Sequence, residues 1–333
     1  MKGVVLAGGK GSRLRPFTYS GAKQLVPIAN TPVLHFPVRQ LVAAGITDIA
    51  LVVGETASQV SLAMGDGSGF GARFTYIHQP EPLGIAHALG LAEAFAGNEP
   101  VVLYLGDNVL VGGIESFVER FRAARPAAAV ILKEVADPRA FGVASLSGER
   151  LRRIVEKPAL PPSNLAVIGV YAFGTEVFDV IRSLTPSARG ELEIADAINA
   201  LLERGLAVES SLTSEPWIDT GKMEDMLAAN RTILESEPQP PIPATVRSRV
   251  RGPVAIAESA IIEDSTIGPN VSIGPGCMVR RSVIRDAILM ERTVVEDCPG
   301  IEQSMIGRFA EVRRAPAGAR LTLGDHSRFE GGR

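Results

Sequence analysis

The sequence has 333 residues, of which 46% are hydrophobic, and a formal net charge of −3. This length is sufficient for a large domain and a smaller one. The near balance of charge excludes a global attraction to nucleic acid, and no run of about 18 apolar residues predicts a membrane span. The two cysteines, Cys277 and Cys298, fit neither a zinc site nor a disulfide framework. We therefore expect a cytoplasmic protein.

Strand and helix patterns alternate through the first part of the chain. Apolar runs that predict buried strands occupy residues 4–7, 49–53, 101–105 and 128–132. Helical patterns lie between them at 31–44 and 84–96. This alternation predicts an α/β fold, a Rossmann-like mixed, mainly parallel sheet flanked by helices.

The first predicted helix carries signals for its start and for a bend. Thr31 is expected to cap it, with Pro32 at the first helical position. Pro37 falls inside the same predicted helix and is expected to kink it.

A glycine-rich, basic stretch, LAGGKGSRLRPFTYSGAKQLVP, occupies residues 6–27. Its closely spaced glycines are Gly8, Gly9 and Gly11. Glycines after a strand let the backbone approach a ligand and point amides at an anion. The P-loop pattern is absent, and Leu14 stands where a dinucleotide fingerprint has its third glycine. Arg13 and Lys23 could neutralise a polyphosphate; the alternative is a glycine turn with solvated cations.

Proline-rich residues 237–245 predict a stiff linker. The expected domains are a catalytic domain at 1–236, a repeat domain at 246–323 and a poorly packed tail at 324–333.

Beyond the linker, apolar residues recur at every sixth position: Ala255, Ile261, Ile267, Ile273 and Val279. This period predicts hexapeptide repeats that coil into a small left-handed parallel β-helix. An antiparallel hairpin stack is the alternative. The repeat region contains no histidine to act as the general base of an acyltransferase, so we expect a structural or oligomerising role.

Ordered motifs over about 220 residues resemble those of the sugar-1-phosphate nucleotidylyltransferase family, the nucleotide-sugar pyrophosphorylases. The motifs are LAGGKGSRLRPFT, KQLVP, QPEPLGIAHAL, LGDN, FGV, VEKP, VIGVYAF and WIDTG. Ser12 replaces the usual threonine and keeps a hydroxyl, whereas Phe141 stands where tyrosine is frequent. The longer thymidylyltransferases of this family, which carry an appended repeat domain, are the most similar. The resemblance implies dTTP and glucose-1-phosphate as substrates, dTDP-glucose as product and a homo-oligomeric assembly.

The same resemblance implies two sets of binding residues. The nucleotide set is Leu6, Gly8, Gly9, Gly11, Ser12, Gln24, Gln79, Pro82 and Gly84. The sugar set is Gly142, Glu156, Val167 and Tyr171. A glutamine amide can pair with a base edge, and a glutamate can accept bonds from sugar hydroxyls. Core packing is the alternative for Val167 and Tyr171, and for His87, to which we assign no catalytic role.

The predicted catalytic cations are Arg13, Lys23 and Lys157. Arg13 and Lys23 would neutralise the triphosphate, and Lys157 would bind the sugar phosphate; an exposed ion pair with Glu156 is the alternative. Asp107 follows an apolar strand, where ligands bind in open α/β sheets. With Asp219 it would hold Mg²⁺ as the cofactor, as the resemblance implies; an aspartate that starts a turn is the alternative.

Several functions remain open at this stage. The same reaction could use UTP or ATP, or the protein could be a bifunctional nucleotidyl/acyltransferase. It could also be a catalytically silent sugar-nucleotide sensor, although such proteins tend to lose the cations and carboxylates that this chain keeps. No nucleic acid or membrane partner is expected.

Overall fold

The structure is a computed structural model that describes residues 1–332. The chain divides into two compact units. The first comprises Met1–Gly9 and Phe36–Trp217, and the second comprises Lys10–His35 and the chain from Ile218 on. The division separates Gly9 from Lys10, inside the glycine-rich stretch. The domain boundaries expected from the sequence remain predictions.

The α-helices of the described chain are α1 (His35–Ala43), α2 (Ala57–Met64), α3 (Ile85–Leu91), α4 (Glu93–Ala96), α5 (Glu115–Ala124), α6 (Glu176–Ser183), α7 (Ile194–Glu203) and α8 (Met223–Ser236). Short 3-10 turns occupy Ser12–Leu14, Phe17–Tyr19, Lys23–Leu25 and Ser68–Phe70. Within residues 1–332, no helix is long and apolar enough to cross a bilayer.

The strands up to Asp219 are β1 (Lys2–Ala7), β2 (Pro27–Ile28), β3 (Thr31–Pro32), β4 (Asp48–Val53), β5 (Arg73–His78), β6 (Val101–Leu105), β7 (Asn108–Leu110), β8 (Ala128–Glu134), β9 (Gly142–Ser147), β10 (Arg150–Glu156), β11 (Leu165–Phe173), β12 (Val208–Leu212) and β13 (Trp217–Asp219). The later strands are β14 (Arg249–Val250), β15 (Val254–Ile256), β16 (Ile261–Glu263), β17 (Thr266–Ile267), β18 (Val271–Ile273), β19 (Met278–Arg280), β20 (Val283–Leu289), β21 (Val294–Glu296), β22 (Ile301–Ile306), β23 (Glu311–Arg313), β24 (Thr322–Leu323) and β25 (Arg328–Glu330).

The expected start of the first helix is wrong. Thr31 and Pro32 form β3, which pairs antiparallel with β2, and the helix begins at His35. Pro37 therefore lies in the first helical turn, where an amide has no intrahelical partner to lose, and the reason for a kink disappears. The second predicted helix is two helices, α3 and α4, separated by Ala92.

The sheet of the first unit is mixed, as predicted. β1 lies between β4 and β6, parallel to both, and β5 continues the parallel part beyond β4. β11 is antiparallel to β6, β8 and β9, so the antiparallel share is larger than the apolar runs alone indicated. β10 pairs antiparallel with β9, and β12 pairs parallel with β8.

The four strands predicted from apolar runs are confirmed as β1, β4, β6 and β8. They read as continuous apolar runs because helices cover both faces of a parallel sheet. Val4, Leu103, Leu89 and Ile198 pack in one core cluster of this unit. The parallel strands β1, β5 and β6 end at a common edge, and the candidate residues Gly8, Gln79 and Asp107 follow them.

In the second unit, the strands after residue 248 pair in parallel with strands 16 or 17 residues further along. Val254 pairs with Val271, and Ile261 pairs with Met278. The described pairings of β14–β25 are parallel, so the antiparallel hairpin stack is excluded. Because the step is shorter than three periods of six, the sequence phase drifts: Ile261 is 44% exposed, and Ile262 is the buried residue.

The expectation of a poorly packed tail is also wrong for its described part. Residues 328–330 form β25, in register with β23. His326 stacks on Phe309 with ring centroids 5.0 Å apart.

In the second unit, residues with a left-handed backbone recur 16 or 17 residues apart, in step with the strand register. This turn column consists of Arg247, Asp264, Arg281, Asp297 and Arg314. Arg247 pairs with Asp264 and Arg281 with Asp297, each at 2.5 Å, and Arg314 pairs with Glu330.

Candidate active site

The ends of β1 and β4 approach each other through glycines. A Cβ atom on Gly54 would lie 2.9 Å from the carbonyl oxygen of Gly8, and one on Gly8 would lie 3.2 Å from the amide nitrogen of Gly54. Both distances are too short for a side chain, so the glycines allow this close backbone approach. Gly9 follows and is exposed, whereas Leu6 lies in β1, half-buried.

Gln79 stands at the same sheet edge, directly after β5. Its backbone amide donates to Val53 at 2.8 Å. Its side-chain amide nitrogen lies 3.0 Å from Nδ1 of His87 and 3.4 Å from the carbonyl oxygen of Gly84. His87 therefore orients Gln79, a contact that the sequence did not indicate.

Gly84 caps α3 in a conformation that only glycine adopts easily. Its φ is 106°, and a Cβ atom would lie 2.4 Å from the carbonyl oxygen of Leu192. The amide of Leu192 donates to Leu83 at 2.8 Å. The turn before α3 is thus fixed by backbone contacts, and Pro82 lies exposed within it.

Asp107 follows β6 and belongs to a side-chain chain. The Asn108 amide donates to Oδ1 of Asp107 at 3.0 Å, and the Trp217 indole donates to Oδ1 of Asn108 at 2.7 Å. The Phe141 ring meets Trp217 edge-on, with centroids 5.0 Å apart. This chain fixes the orientation of the Asp107 carboxylate.

Glu156 and Gly142 are opposite residues in the β9–β10 pair. A Cβ atom on Gly142 would lie 3.3 Å from Oε2 of Glu156, so the glycine leaves space in front of the carboxylate. Lys157 follows with a left-handed φ of 41°, and its amide donates to Phe141 at 3.0 Å. Its ammonium lies 3.5 Å from Glu156.

Burial raises the pKa of Glu156, although the nearby Lys157 and Arg189 act in the opposite direction. Arg189 lies 3.4 Å from Glu156 and 3.1 Å from the buried Glu193. Glu193 also accepts a hydrogen bond from Ser187 at 2.9 Å. A carboxylate in such a mixed-charge, half-buried setting is suited to bind hydroxyl groups.

Val167 and Tyr171 lie in β11 and belong to the core cluster of the first unit. The Tyr171 ring stacks on Phe173 with centroids 6.0 Å apart. Burial, with the charge of Glu156, raises the pKa of the Tyr171 phenol. Core packing thus accounts for much of both side chains, and a role in lining a sugar pocket remains a prediction.

In the second unit, Gly11 brings the glycine-rich stretch against Lys23. Gly11 has a φ of 62°, and a Cβ atom there would lie 2.8 Å from Cβ of Lys23 and 2.9 Å from Thr18. The Thr18 hydroxyl donates to the Gly11 carbonyl at 2.7 Å. The loop therefore closes on Lys23, which is only 7% exposed, while Ser12 next to Gly11 is exposed.

The Arg13 guanidinium lies against Gly221 of the WIDTG motif. A Cβ atom on Gly221 would be 2.9 Å from Nη2 of Arg13. The Gly221 amide donates to the carbonyl of Asp219 at 2.7 Å. The second unit thus brings an arginine beside the backbone of the segment that carries Asp219.

Gln24 is 2% exposed, and its Oε1 atom accepts no hydrogen bond from the described residues 1–332. A buried amide oxygen without a donor costs about 1–3 kcal/mol. Buried polar atoms are otherwise nearly always paired, so this oxygen is a candidate acceptor for a ligand donor.

Two family models match the chain. Residues 2–236 match a model described as nucleotidyl transferase. The chain belongs to the nucleotidyl transferase family. Residues 250–320 match a model described as GMPPB C-terminal domain. This second description does not support the predicted hexapeptide repeat, which remains a prediction.

Members of the nucleotidyl transferase family are similar over nearly the whole chain. A glucose-1-phosphate thymidylyltransferase of Streptomyces antibioticus is 43% identical, with 99% of each chain covered. A low-salt glycan biosynthesis nucleotidyltransferase, Agl11, of Haloferax volcanii is 42% identical over 99% of this chain and all of its own. A solved Bacillus anthracis structure described as a glucose-1-phosphate thymidylyltransferase is 42% identical, with a TM-score of 0.66, and covers 69% of this chain and 94% of its own.

Some residues that contact the candidate site residues were not among those predicted from the sequence. Asn108 and Trp217 stand in the quoted motifs LGDN and WIDTG, but their mutual hydrogen bond spans 109 positions. Arg189 follows no predicted strand, yet it contacts Glu156. A cation that contacts a predicted binding residue from a distant part of the chain gives no periodic signal, so only the fold reveals it.

Proposed function

We propose that the protein transfers a thymidylyl group from dTTP to glucose-1-phosphate and releases dTDP-glucose and pyrophosphate. The observation that carries the proposal is the similarity of the full chain, at 43% identity and 99% coverage, to two Streptomyces proteins named glucose-1-phosphate thymidylyltransferase. Retention of Arg13, Lys23, Lys157 and both aspartates favours an enzyme over a silent sensor.

The proposed nucleotide site combines the backbone and cations of the glycine-rich stretch with two glutamine side chains. The backbone amides around Gly9 and Gly11 would approach the triphosphate, and Arg13 and Lys23 would neutralise it. Gln24, with its unpartnered buried oxygen, and Gln79, held by His87, would read the base edge.

The proposed sugar site is built around Glu156. Its carboxylate would accept hydrogen bonds from sugar hydroxyls in the space left by Gly142. Lys157 would bind the sugar phosphate as a point charge. Val167 and Tyr171 would form the apolar wall.

Asp107 and Asp219 offer donors that fit a hard cation, because carboxylate oxygens are the ligands that Mg²⁺ prefers. Asp107, whose orientation is fixed by Asn108, would hold Mg²⁺ together with Asp219. No cluster of three or more His, Cys, Asp or Glu side chains suited to a metal occurs in residues 1–332. The proposed set is therefore a carboxylate pair completed by ligand oxygens. Bound Mg²⁺ would neutralise phosphate charge.

In the proposed reaction, an oxygen of the sugar phosphate attacks the α-phosphorus of dTTP. A P–O bond forms there as the bond to the β-phosphate bridging oxygen breaks, and pyrophosphate leaves. No covalent enzyme intermediate is needed, because the attacking phosphate is already an anion. Lys157 would hold that anion in line, and Arg13 and Lys23 would stabilise charge on the departing group.

For the C-terminal region we propose a left-handed parallel β-helix of hexapeptide repeats. A coil of three hexapeptides has about 18 residues, and the strand register of 16 or 17 residues is close to this length. We further propose a cytoplasmic homo-oligomer. The free, buried Cys277 and Cys298 are compatible with a reducing compartment, and light scattering of the purified protein would test the assembly.

A pyrophosphate-release assay with glucose-1-phosphate and Mg²⁺ tests the function directly. The assay compares dTTP, UTP, ATP, CTP and GTP in parallel, and we expect release with dTTP well above the others. Higher release with UTP or ATP would contradict the proposed base. No release from folded protein with any nucleotide would contradict the reaction and favour the silent sensor.

A further inference from the structure

We propose that the C-terminal strands position the residues proposed to bind the nucleotide, Lys23 and Gln24. The contacts that do so are made by Asn30, Asn230 and Asp325. The segment concerned is the nucleotide loop, residues 10–35, and the strands are the strand region, residues 249–330. All of these residues belong to the second unit. The inference rests on the proposed binding of the nucleotide by Lys23 and Gln24.

The nucleotide loop ends in a two-residue hairpin with an unusual tip. Ile28 pairs with Thr31, and the tip residues Ala29 and Asn30 have φ values of 45° and 60°. Two left-handed residues are typical of a type I′ turn. An alanine in this conformation is strained, so surrounding contacts must hold the tip in place.

Asn230 of α8 supplies the first of these contacts. It is fully buried, and its Oδ1 accepts the backbone amide of Ala29 at 2.8 Å. The same oxygen accepts the hydroxyl of Ser272 in β18, and Nδ2 donates to the carbonyl of Asn270 at 3.4 Å. A single side chain thus ties the hairpin tip to the strand region.

Asn30 makes the second contact from the tip itself. Its side-chain amide donates to the carbonyl of Ala255 at 3.1 Å and to that of Ile273 at 2.9 Å. These carbonyls lie in β15 and β18, which are neighbouring parallel strands. The tip therefore bridges two strands, 225 and 243 positions away in sequence.

A second anchor lies on the other side of Lys23. The Ser20 hydroxyl donates to Asp325 at 2.7 Å, and Asp325 also accepts the backbone amide of Arg308 at 2.7 Å. Pro16 packs on Gly324, where a Cβ atom would lie 3.0 Å from the proline ring. Asp325 is thus held by the strand region and in turn holds the loop.

Lys23 and Gln24 lie between these two anchors. The carbonyl of Gln24 accepts the amide of Leu34 at 2.9 Å, and that of Val26 accepts the amide of Val33 at 3.2 Å. The hairpin is therefore closed directly onto Gln24. Moving its tip would move the backbone that carries Gln24, and a displacement of about 1 Å can cost 10²-fold in rate.

Hydrogen exchange tests the anchoring without any substrate. Asn30→Gly keeps the left-handed backbone available and removes the two donor contacts. We expect peptides covering residues 18–34 to exchange about tenfold faster in the full-length variant, with unchanged exchange in β4 and β6. The matched control is Arg231→Gln, which breaks the ion pair between α8 and Asp286 without touching the loop. Unchanged exchange in Asn30→Gly, or equal acceleration in Arg231→Gln, would overturn the inference.

Steady-state kinetics test the consequence for the site. In Asn30→Gly and Ser20→Ala we expect the KM for dTTP to rise, up to roughly tenfold in Asn30→Gly, and the KM for glucose-1-phosphate to stay the same. Equal changes in both KM values, or none, would refute a positioning role. If Asn30→Gly does not fold, Ser20→Ala and Asp325→Asn give the same comparison. A wild-type protein without turnover would overturn the proposed function instead, and the exchange result would still decide the anchoring.

Discussion

The residues proposed to bind the sugar phosphate and those proposed to bind the nucleotide are held by different means. Glu156 ends β10 opposite Gly142, and the β9–β10 backbone ladder fixes both. Lys23 and Gln24 lie on a 3-10 turn whose flanks are fixed by side-chain contacts with the strand region. A backbone ladder tolerates side-chain changes, whereas a few side-chain anchors do not. We therefore expect substitutions outside the site to affect the binding of the nucleotide more than the binding of the sugar phosphate.

The largest effect is expected from Lys157→Ala. Removing the cation that would hold the attacking phosphate should lower turnover by roughly 10²–10³-fold, as measured by pyrophosphate release. Arg152→Ala is the matched control, because Arg152 is an exposed cation on β10, the strand that directly precedes Lys157. Near wild-type turnover in Lys157→Ala would show that Lys157 does not hold the sugar phosphate.

Gly84→Ala should destabilise the turn before α3 through its backbone. The new Cβ atom would lie 2.4 Å from the Leu192 carbonyl oxygen, so we expect a loss of about 3–5 kcal/mol in the free energy of unfolding. Gly71→Ala lies at a left-handed position with a φ of 72° but no atom within 4 Å, and it should cost only about 1–2 kcal/mol. Urea unfolding measures both, and equal losses would mean that the contact with Leu192 does not matter.

Gln24→Met, in the nucleotide loop, should change protein stability and dTTP binding in opposite directions. Because Oε1 of Gln24 is buried without a donor, its removal should raise the free energy of unfolding by about 1 kcal/mol while the KM for dTTP increases. The control is Gln40→Met, because Gln40 accepts a hydrogen bond from Tyr104 and donates one to Leu110. That change should destabilise the protein, and a destabilised Gln24→Met would contradict the assignment.

The smallest effect concerns the pH dependence of stability at Glu156. Burial raises its pKa in the folded state above the ordinary value of 4.5, so the folded protein binds this proton more tightly than the unfolded chain. Its contribution to stability is therefore fully present below pH 4.5 and is lost as pH rises through the folded-state pKa.

The Glu156→Gln variant has no ionisable group at this position. Comparing it with the wild type therefore isolates the contribution of Glu156 to the pH dependence of stability. Urea unfolding of both proteins between about pH 4 and pH 7 should show the wild type losing stability relative to the variant as pH rises. A difference that is constant or that reverses would mean that Lys157 and Arg189 outweigh burial at this carboxyl group.

The features that the sequence predicted belong to the sheet, whereas the features held by side-chain anchors were not predicted. The parallel strands were predictable because their burial on both faces produces apolar runs, and Asp107 was found because it follows such a run. The β2–β3 hairpin was not predictable, because Thr31-Pro32 is equally typical of a helix start. The contact between Asn30 and Ile273 spans 243 positions and leaves no local pattern.

In the strand region, the error had a geometric cause. A repeat of six placed Ile261 inside, but a register of 16 or 17 residues moves the inward position to Ile262. A strict period of six requires each coil to contain three full hexapeptides. One residue fewer per coil is enough to move the inward-facing position out of phase with that period.

The turn column constrains how the C-terminal region can grow in evolution. Its charges alternate from Arg247 to Asp264, Arg281, Asp297 and Arg314. Duplicating one coil or deleting an internal one would make two like charges neighbours, whereas adding or removing two successive coils would keep every neighbour opposite. Exposed pairs contribute only about 0–1 kcal/mol each, so this is a modest bias, but it favours lineages whose coil number changes in steps of two.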